Sequence, residues 1–227
     1  MKWLILVFVC CLSITAFAQN STYIGIGYSQ NLSIRVNAPE FRERWSNQLS
    51  IFATKEIHPW IEVGAGVNYG NVGELTAQGD ITLGVHLENV NLSSIDSSQF
   101  VIDYRFNSLE VPLRLVIGKQ KTKSKIYAVL DIIPSFLVST THSIEPVSLT
   151  ERIKPIPMPS EVDYRTFNLD VQLGVGYRRF FTPRFGLFIE TSIAYHTFKG
   201  DSNGVTIRPK YLTYGTTLGI ISKLGQE

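Results

Sequence analysis

The sequence predicts an all-β fold, an eight-stranded antiparallel up-and-down transmembrane β-barrel with short periplasmic turns and long external loops. The first observation is alternation: from Phe167 to Tyr177 every odd position carries an apolar or aromatic residue, and every even position a polar or small one. Because side chains of a strand point alternately to opposite faces, this segment has one apolar and one polar face. The second observation is length, since most candidate strands reach the roughly 9–11 residues that cross the apolar layer of a membrane.

The third observation is the order of the connections between eight alternating segments. The segments span about residues 22–36, 45–55, 60–69, 104–118, 125–139, 167–177, 185–196 and 212–220. Every second connection is short, whereas those at about 70–103 and 140–163 are long and polar. A meander with tight turns on one side and longer loops on the other is typical of outer-membrane barrels. Soluble sheets also alternate, so a lipocalin-like soluble barrel that binds an apolar ligand is an alternative.

The first three strands show the pattern with different clarity. The first carries apolar residues at most even positions between 22 and 36, and the second alternates except at Phe52. The third follows the tight connection 56–59 and alternates large apolar residues with Trp, Glu, Gly and Asn. All three therefore predict one face turned to an apolar medium.

The later strands include two irregular ones. The fourth places Pro112 among its polar-face residues, and a proline inside a strand indicates a β-bulge or a local bend. The fifth alternates less cleanly, although Asp131 and Ser135 mark its polar face. The seventh and eighth keep the pattern to their ends. Residues 81–90 alternate as well, but a ninth strand would reverse the side of every later turn, so we expect an external hairpin there.

The N-terminus has the form of a cleavable signal peptide. An apolar run from Leu4 to Leu12 follows Lys2, and residues 16–18 read Ala-Phe-Ala, the small-x-small pattern of a signal peptidase site. The run is shorter than the roughly 20 residues of a spanning helix. We therefore expect residues 1–18 to be a signal peptide and residues 19–227 to form one outer-membrane β-barrel domain.

Composition narrows the class of the mature protein. Both cysteines, Cys10 and Cys11, lie inside the signal, so disulfides and thiolate metal sites are not expected in the mature chain. The formal net charge of +2 falls to +1 with the loss of Lys2, which does not favour nucleic acid as a partner. Beyond the signal no apolar run has the length of a spanning helix, so a membrane location would require a closed barrel.

The polar faces of the strands predict a structural charge network in the barrel lumen. An eight-stranded barrel is narrow enough to be filled by its own side chains. We therefore expect a plugged interior in which acids and bases pair across the barrel, because unpaired buried charges are costly. The predicted members are Glu62, Glu110, Arg114, Asp170, Arg178 and Glu190.

No catalytic, cofactor or metal site is expected. Glu190, Ser192 and His196 share one face of the seventh strand, but neighbours two apart are separated by roughly 6–7 Å, too far for a hydrogen-bonded triad by themselves. Lumen residues paired with neighbours are the simpler interpretation. The four histidines, His58, His86, His142 and His196, have no spacing typical of metal ligands.

Two kinds of motif resemble a known family. The string Leu109-Glu110-Val111-Pro112-Leu113, together with Gly25-Ile26-Gly27-Tyr28 and Gly174-Val175-Gly176-Tyr177, resembles the PorT-like outer-membrane β-barrel family of Bacteroidetes-type Gram-negative bacteria. The resemblance covers essentially the whole mature chain. It implies an outer-membrane barrel, and the family's namesake is tied to protein secretion.

The expected function is a non-enzymatic structural or interaction scaffold whose external loops form the binding surface. A component of an outer-membrane secretion machinery and a lipid-modifying outer-membrane enzyme are the alternatives within the membrane. Even strand number places both termini in the periplasm. The expected partners are outer-membrane lipid, the barrel-assembly machinery during biogenesis, and other envelope proteins reached through the loops; no nucleic acid is expected.

Overall fold

The structure, a computed structural model, describes residues 21–36, 43–78, 100–121, 123–146, 156–158, 163–202 and 205–224. Eight long strands form the barrel: β1 (Thr22–Arg35), β2 (Arg44–His58), β3 (Ile61–Gln78), β4 (Phe100–Glu110, continued by Leu113–Ile117), β5 (Ser124–Pro146), β6 (Phe167–Phe180), β7 (Phe185–Thr197) and β8 (Lys210–Leu224). The described residues contain no helix long and apolar enough to cross a membrane. The signal-peptide prediction and the hairpin predicted at 81–90 lie outside the described residues.

The predicted fold is confirmed. Each strand pairs antiparallel with the next one in the chain, and β8 pairs with β1 from Thr22↔Leu224 to Arg35↔Tyr211. A closed barrel of this kind leaves no unpaired sheet edge. The tight connections after β2, β4 and β6 lie at one end, called here the short-turn end, together with the start of β1 and the end of β8. The opposite end is called the loop end.

Alternation places apolar side chains outside and polar ones inside. On β6 the burial of successive residues alternates from Phe167 to Phe180, with Leu173 and Val175 at least 60% exposed on the outer face and Asp170 and Arg178 buried. The same polarity holds around the barrel, because most large exposed side chains of the strands are Ile, Leu, Val, Phe, Tyr or Trp. Phe52, the exception in β2, points inward and belongs to a buried aromatic cluster.

Three strands extend at the loop end into the predicted long connections. β3 continues to Gln78, β4 begins at Phe100, and β5 continues to Pro146, and all three remain paired in these extensions. The connection predicted at about 70–103 is therefore partly barrel wall. Backbone pairing in these extensions does not require alternation of apolar and polar residues, and the sequence shows no clear alternation there.

Pro112 interrupts β4 without a bulge, so the first of the two predicted alternatives, a bulge or a local bend, is not found there. The register of β4 on β5 is unchanged across Pro112, and the register shift lies instead at residues 107–108. The Gly66 N–H donates to the Pro112 carbonyl at 3.0 Å, and the Val111 N–H donates to the Pro134 carbonyl at 2.8 Å. The ladder thus continues on both sides of the proline.

Candidate functional site

The barrel interior is the most elaborate polar site among the described residues. All six residues of the predicted charge network face it, and none of their side chains is more than 10% exposed. They form three groups that follow one another along the barrel axis, from the short-turn end to the loop end. The groups differ in how each charge is compensated.

The first group surrounds Glu62 on β3. Arg178 of β6 donates to both carboxylate oxygens, at 2.6 and 3.0 Å, and Lys125 of β5 donates to Oε1 at 2.6 Å. The Thr54 hydroxyl donates a fourth hydrogen bond at 3.0 Å. The Arg178 guanidinium also lies 3.9 Å from the ring centroid of Tyr23. Glu62 therefore links β3 to three other strands and binds two cations, one of which, Lys125, is not in the predicted network.

The second group is centred on Arg114 of β4. Its guanidinium donates to both oxygens of Asp131 on β5, at 3.0 and 2.8 Å, and to both oxygens of Glu190 on β7, at 2.9 and 3.3 Å. The Tyr127 hydroxyl adds a hydrogen bond to Glu190 at 3.3 Å. Arg114 also lies 4.7 Å from the ring centroid of Phe52. One cation thus binds two carboxylates from β5 and β7, strands that are not paired with each other.

The third group contains Glu110, whose hydrogen-bond partners among the described residues do not include a lysine or an arginine. Its carboxylate accepts from Gln48 at 2.7 Å, from Ser108 at 3.1 Å and from Asn68 at 3.3 Å. All three donors are uncharged, so these hydrogen bonds do not pair Glu110 with a base. Hydrogen bonds to an ionised carboxylate are stronger than neutral ones, which offsets part of the cost of burial.

Asp170 belongs to the same level and is held by His196. The imidazole Nδ1 lies 3.2 Å from Asp170 Oδ2, the Ser135 hydroxyl donates to that oxygen at 2.9 Å, and the Thr197 N–H donates to Oδ1 at 3.1 Å. Ser, His and Asp are the residue types of a hydrolytic triad. Here, however, the serine hydroxyl donates to the carboxylate rather than to the imidazole, so His196 is not placed to activate it.

Buried aromatic residues cover both ends of this interior. At the loop end Phe106, Phe198 and Tyr211 pack together, with the Phe106 and Phe198 rings stacked at 4.5 Å between centroids. At the short-turn end the buried cluster contains Tyr23, Phe52, Phe180, Phe188 and Ile221. The cavities lined by the polar side chains between these clusters measure about 10 and 20 Å³. Each has room for about one water molecule.

Sequence reasoning left several residues out of the predicted charge network. Asp131 was assigned to the polar face of β5 but not to the network, and Lys125, an even number of positions from Ser135 and therefore on the same face, was not included either. Arg44 donates to Asp103 at 2.6 Å near the loop end, but Asp103 had been assigned to a connection. Among the described residues, no three His, Cys, Asp or Glu side chains come together as metal ligands.

Comparison with known proteins gives structural likeness without sequence relatives. No family model matches the chain, and no curated protein matches it. Among solved structures, Neisserial surface protein A is similar at 10% identity and a TM-score of 0.47, covering 91% of this chain and 100% of the other. The outer membrane protein OprG from Pseudomonas aeruginosa has 10% identity and a TM-score of 0.47, with 92% and 98% covered. Ail, the attachment invasion locus protein of Yersinia pestis, has 11% identity and a TM-score of 0.41, with 91% and 99% covered.

Proposed function

We propose that this protein is a non-enzymatic outer-membrane β-barrel that acts as a scaffold, with its loop end presenting a binding surface. The observation that carries the proposal is the inverted polarity of the barrel, with apolar side chains outside and an ion-paired interior. Soluble monomers rarely expose contiguous apolar patches larger than a few hundred Å². A lipid environment removes this cost, since the outer face then contacts hydrocarbon.

Exposed aromatic side chains at both ends of the apolar belt support the membrane location. Trp60 and Phe181 lie at the short-turn end and are 50% and 60% exposed, while Trp45 and Phe167 lie at the loop end and are 62% and 54% exposed. Aromatic residues are enriched at membrane interfaces because their rings suit the headgroup level. Barrels of the outer membrane carry such girdles on both sides of an apolar band.

Because the lumen is filled, a scaffold function is favoured over that of a pore or a ligand carrier. A lipocalin-like binder would need an apolar cavity, whereas the lumen here is crossed by Arg114, Glu62 and their partners and has cavities of about 10 and 20 Å³. Side chains that bind one another across the barrel hold the wall in one shape. Loops on a rigid wall are a common location for binding residues.

Orientation follows from the topology within this proposal. Because β1 begins and β8 ends at the short-turn end, that end is assigned to the periplasm and the loop end to the exterior. Short periplasmic turns and longer external loops are usual in such barrels. Outer-membrane lipid, the assembly machinery and envelope proteins at the loops are the proposed partners.

We further propose that the chain is PorT-like, on the basis of the string from Leu109 to Leu113. Glu110 and Pro112 of this string face the lumen and are buried, whereas Leu113 is 52% exposed on the outer face. The string therefore lies on β4 just before Arg114, with Glu110 and Pro112 on the lumen side and Leu113 on the outer side. A role in protein secretion, as for the family's namesake, is the alternative function, and deletion of the gene followed by analysis of secreted proteins tests it.

Membrane fractionation tests the main proposal. The protein should sediment with outer membranes and migrate faster on gels when it is not heated, because the closed hydrogen-bonded barrel resists detergent. Recovery from the soluble periplasm without detergent would contradict the membrane location. Protease added to whole cells should cut the loops and leave the short turns intact, and the reverse result would contradict the orientation.

A further inference from the structure

The ladder between β6 and β7 is interrupted at the loop end. Their ladder ends at Val171↔Tyr195, and the chains next meet where the Arg165 N–H donates to the Lys199 carbonyl at 2.7 Å. Between these points the Asp170 carboxylate accepts from the Thr197 N–H at 3.1 Å. A side chain therefore replaces part of the ladder there.

An open cleft of about 420 Å³ lies beside this interruption of the ladder. Of the described residues that line it, four are cationic and none is acidic: Arg165, Lys199, Arg208 and Lys210. Asp201, in the adjoining short strand Gly200–Ser202, accepts from the Thr206 hydroxyl at 2.8 Å. Phe167 and Leu169 form the apolar side of the cleft and are 54% and 56% exposed.

The cleft lies at the boundary of the apolar belt. Phe167 packs on Phe136 at 5.5 Å between ring centroids, and both rings face outward. Exposed aromatic rings mark the headgroup level of a membrane. The four cations therefore lie at and just beyond the headgroup level, whereas Leu169 extends the apolar side toward the hydrocarbon.

We propose that this cleft binds a phosphorylated lipid of the outer leaflet. The headgroup phosphates contact the four cations, and an acyl chain lies along Phe167 and Leu169. Arginine recognises phosphate with two parallel hydrogen bonds, and lysine adds a mobile positive charge. The volume falls within the range of small-molecule sites, about 300–1,000 Å³. The site rests on the membrane location proposed above and adds a ligand class to it.

The test measures binding of diphosphorylated lipid A to the full mature barrel in a zwitterionic detergent, by native mass spectrometry. The variant Arg165→Gln/Lys199→Gln removes two cations of the cleft and keeps the backbone bond between these residues. The matched control Lys121→Gln/Lys123→Gln removes two exposed cations at the short-turn end. Since each cation near an anionic surface contributes about fivefold in affinity, the cleft variant should bind about 25-fold more weakly. The control should bind like the wild type.

Three outcomes would overturn the site. One is equal weakening in the cleft variant and the control, which would indicate non-specific charge attraction. Another is equal binding of a dephosphorylated lipid A, and the third is equally tight binding of a soluble sulfated saccharide in place of the lipid. Heat-modifiable migration is recorded for every sample. If the protein shows this migration but does not prefer the phosphorylated lipid, only the proposed lipid site is overturned. If the protein never shows this migration, the barrel proposal itself is overturned.

Discussion

Replacement of Arg114 by Met is expected to destabilise the barrel more than a comparable change on its outer face. Arg114 joins β4 to β5 and β7 through four hydrogen bonds with Asp131 and Glu190. Methionine keeps much of the side-chain length over Phe52 but supplies no donor. The change therefore isolates the loss of the buried cation from a loss of packing.

The magnitude follows from the groups that Arg114 leaves behind. The carboxylates of Asp131 and Glu190 have side chains only 1% and 3% exposed. After the substitution Gln172 still donates to Asp131 at 3.3 Å and Tyr127 to Glu190 at 3.3 Å. Breaking a buried pair by removing one partner costs about 3–5 kcal/mol, because the remaining charge stays desolvated. We expect Arg114→Met to lower the free energy of unfolding by that amount.

The assay is equilibrium unfolding by urea of protein refolded into phosphatidylcholine vesicles. Tryptophan emission reports the transition through Trp45 and Trp60, which are exposed on the outer face. The control is Arg179→Met, since Arg179 is exposed on the outer side of β6 and surface changes usually stay within about 0.5 kcal/mol. In the double variant Arg114→Met/Asp131→Asn, removal of one orphaned charge should recover at least about 1 kcal/mol.

If Arg114→Met lowers the free energy of unfolding by less than about 1 kcal/mol, the reasoning is refuted, because a loss of that size is expected for an ion pair exposed to solvent. Failure of the Asp131→Asn change to recover stability would refute it as well. That result would mean that the cost arises from packing around Phe52 rather than from the unpaired carboxylates.

Three further outcomes are expected. In planar bilayers the wild type should show little steady conductance, because the interior is filled by bonded side chains, and a large stable open pore would make it a porin instead. Gly64→Ala should destabilise by about 1–3 kcal/mol in the same urea assay, since a Cβ there would meet the backbone oxygen of Ala53; an unchanged midpoint would contradict the packing role of this glycine. Cells carrying Ser192→Ala or His196→Ala should keep the wild-type lipid profile, and a profile that depends on either residue would favour a lipid-modifying enzyme.

Alternation was sufficient to predict the barrel because one rule sets the orientation of every side chain in a strand. Once β6 has an apolar outer face, Asp170 and Arg178 must face the lumen, and the closed ladder extends the rule to the other strands. The extensions of β3, β4 and β5 escaped prediction because backbone pairing there is independent of an apolar side-chain pattern.

The partners of the lumen charges were not predictable from the sequence. The alternation along a strand shows which residues face inward. Contacts across the lumen also depend on the register between strands, and Arg178 reaches Glu62 although the two residues are 116 positions apart in the sequence. Glu110 shows a second reason. Its carboxylate is stabilised by neutral amide and hydroxyl donors, residue types that occur on every polar face and give no distinct signal.

Replacement of Leu173 by Arg tests the membrane location most directly. Leu173 is 60% exposed on the outer face, between Leu130 of β5 and Ile193 of β7. If this face contacts hydrocarbon, Leu173→Arg should cost about 2–4 kcal/mol in vesicles, whereas Asn47→Arg, on the exposed face of β2 near the loop end, should cost about 0–1 kcal/mol. In cells the Leu173 variant should be depleted from the outer membrane and the Asn47 variant should accumulate normally. Equal folding and equal accumulation of both variants, as expected of solvent-exposed positions, would contradict a membrane-embedded barrel.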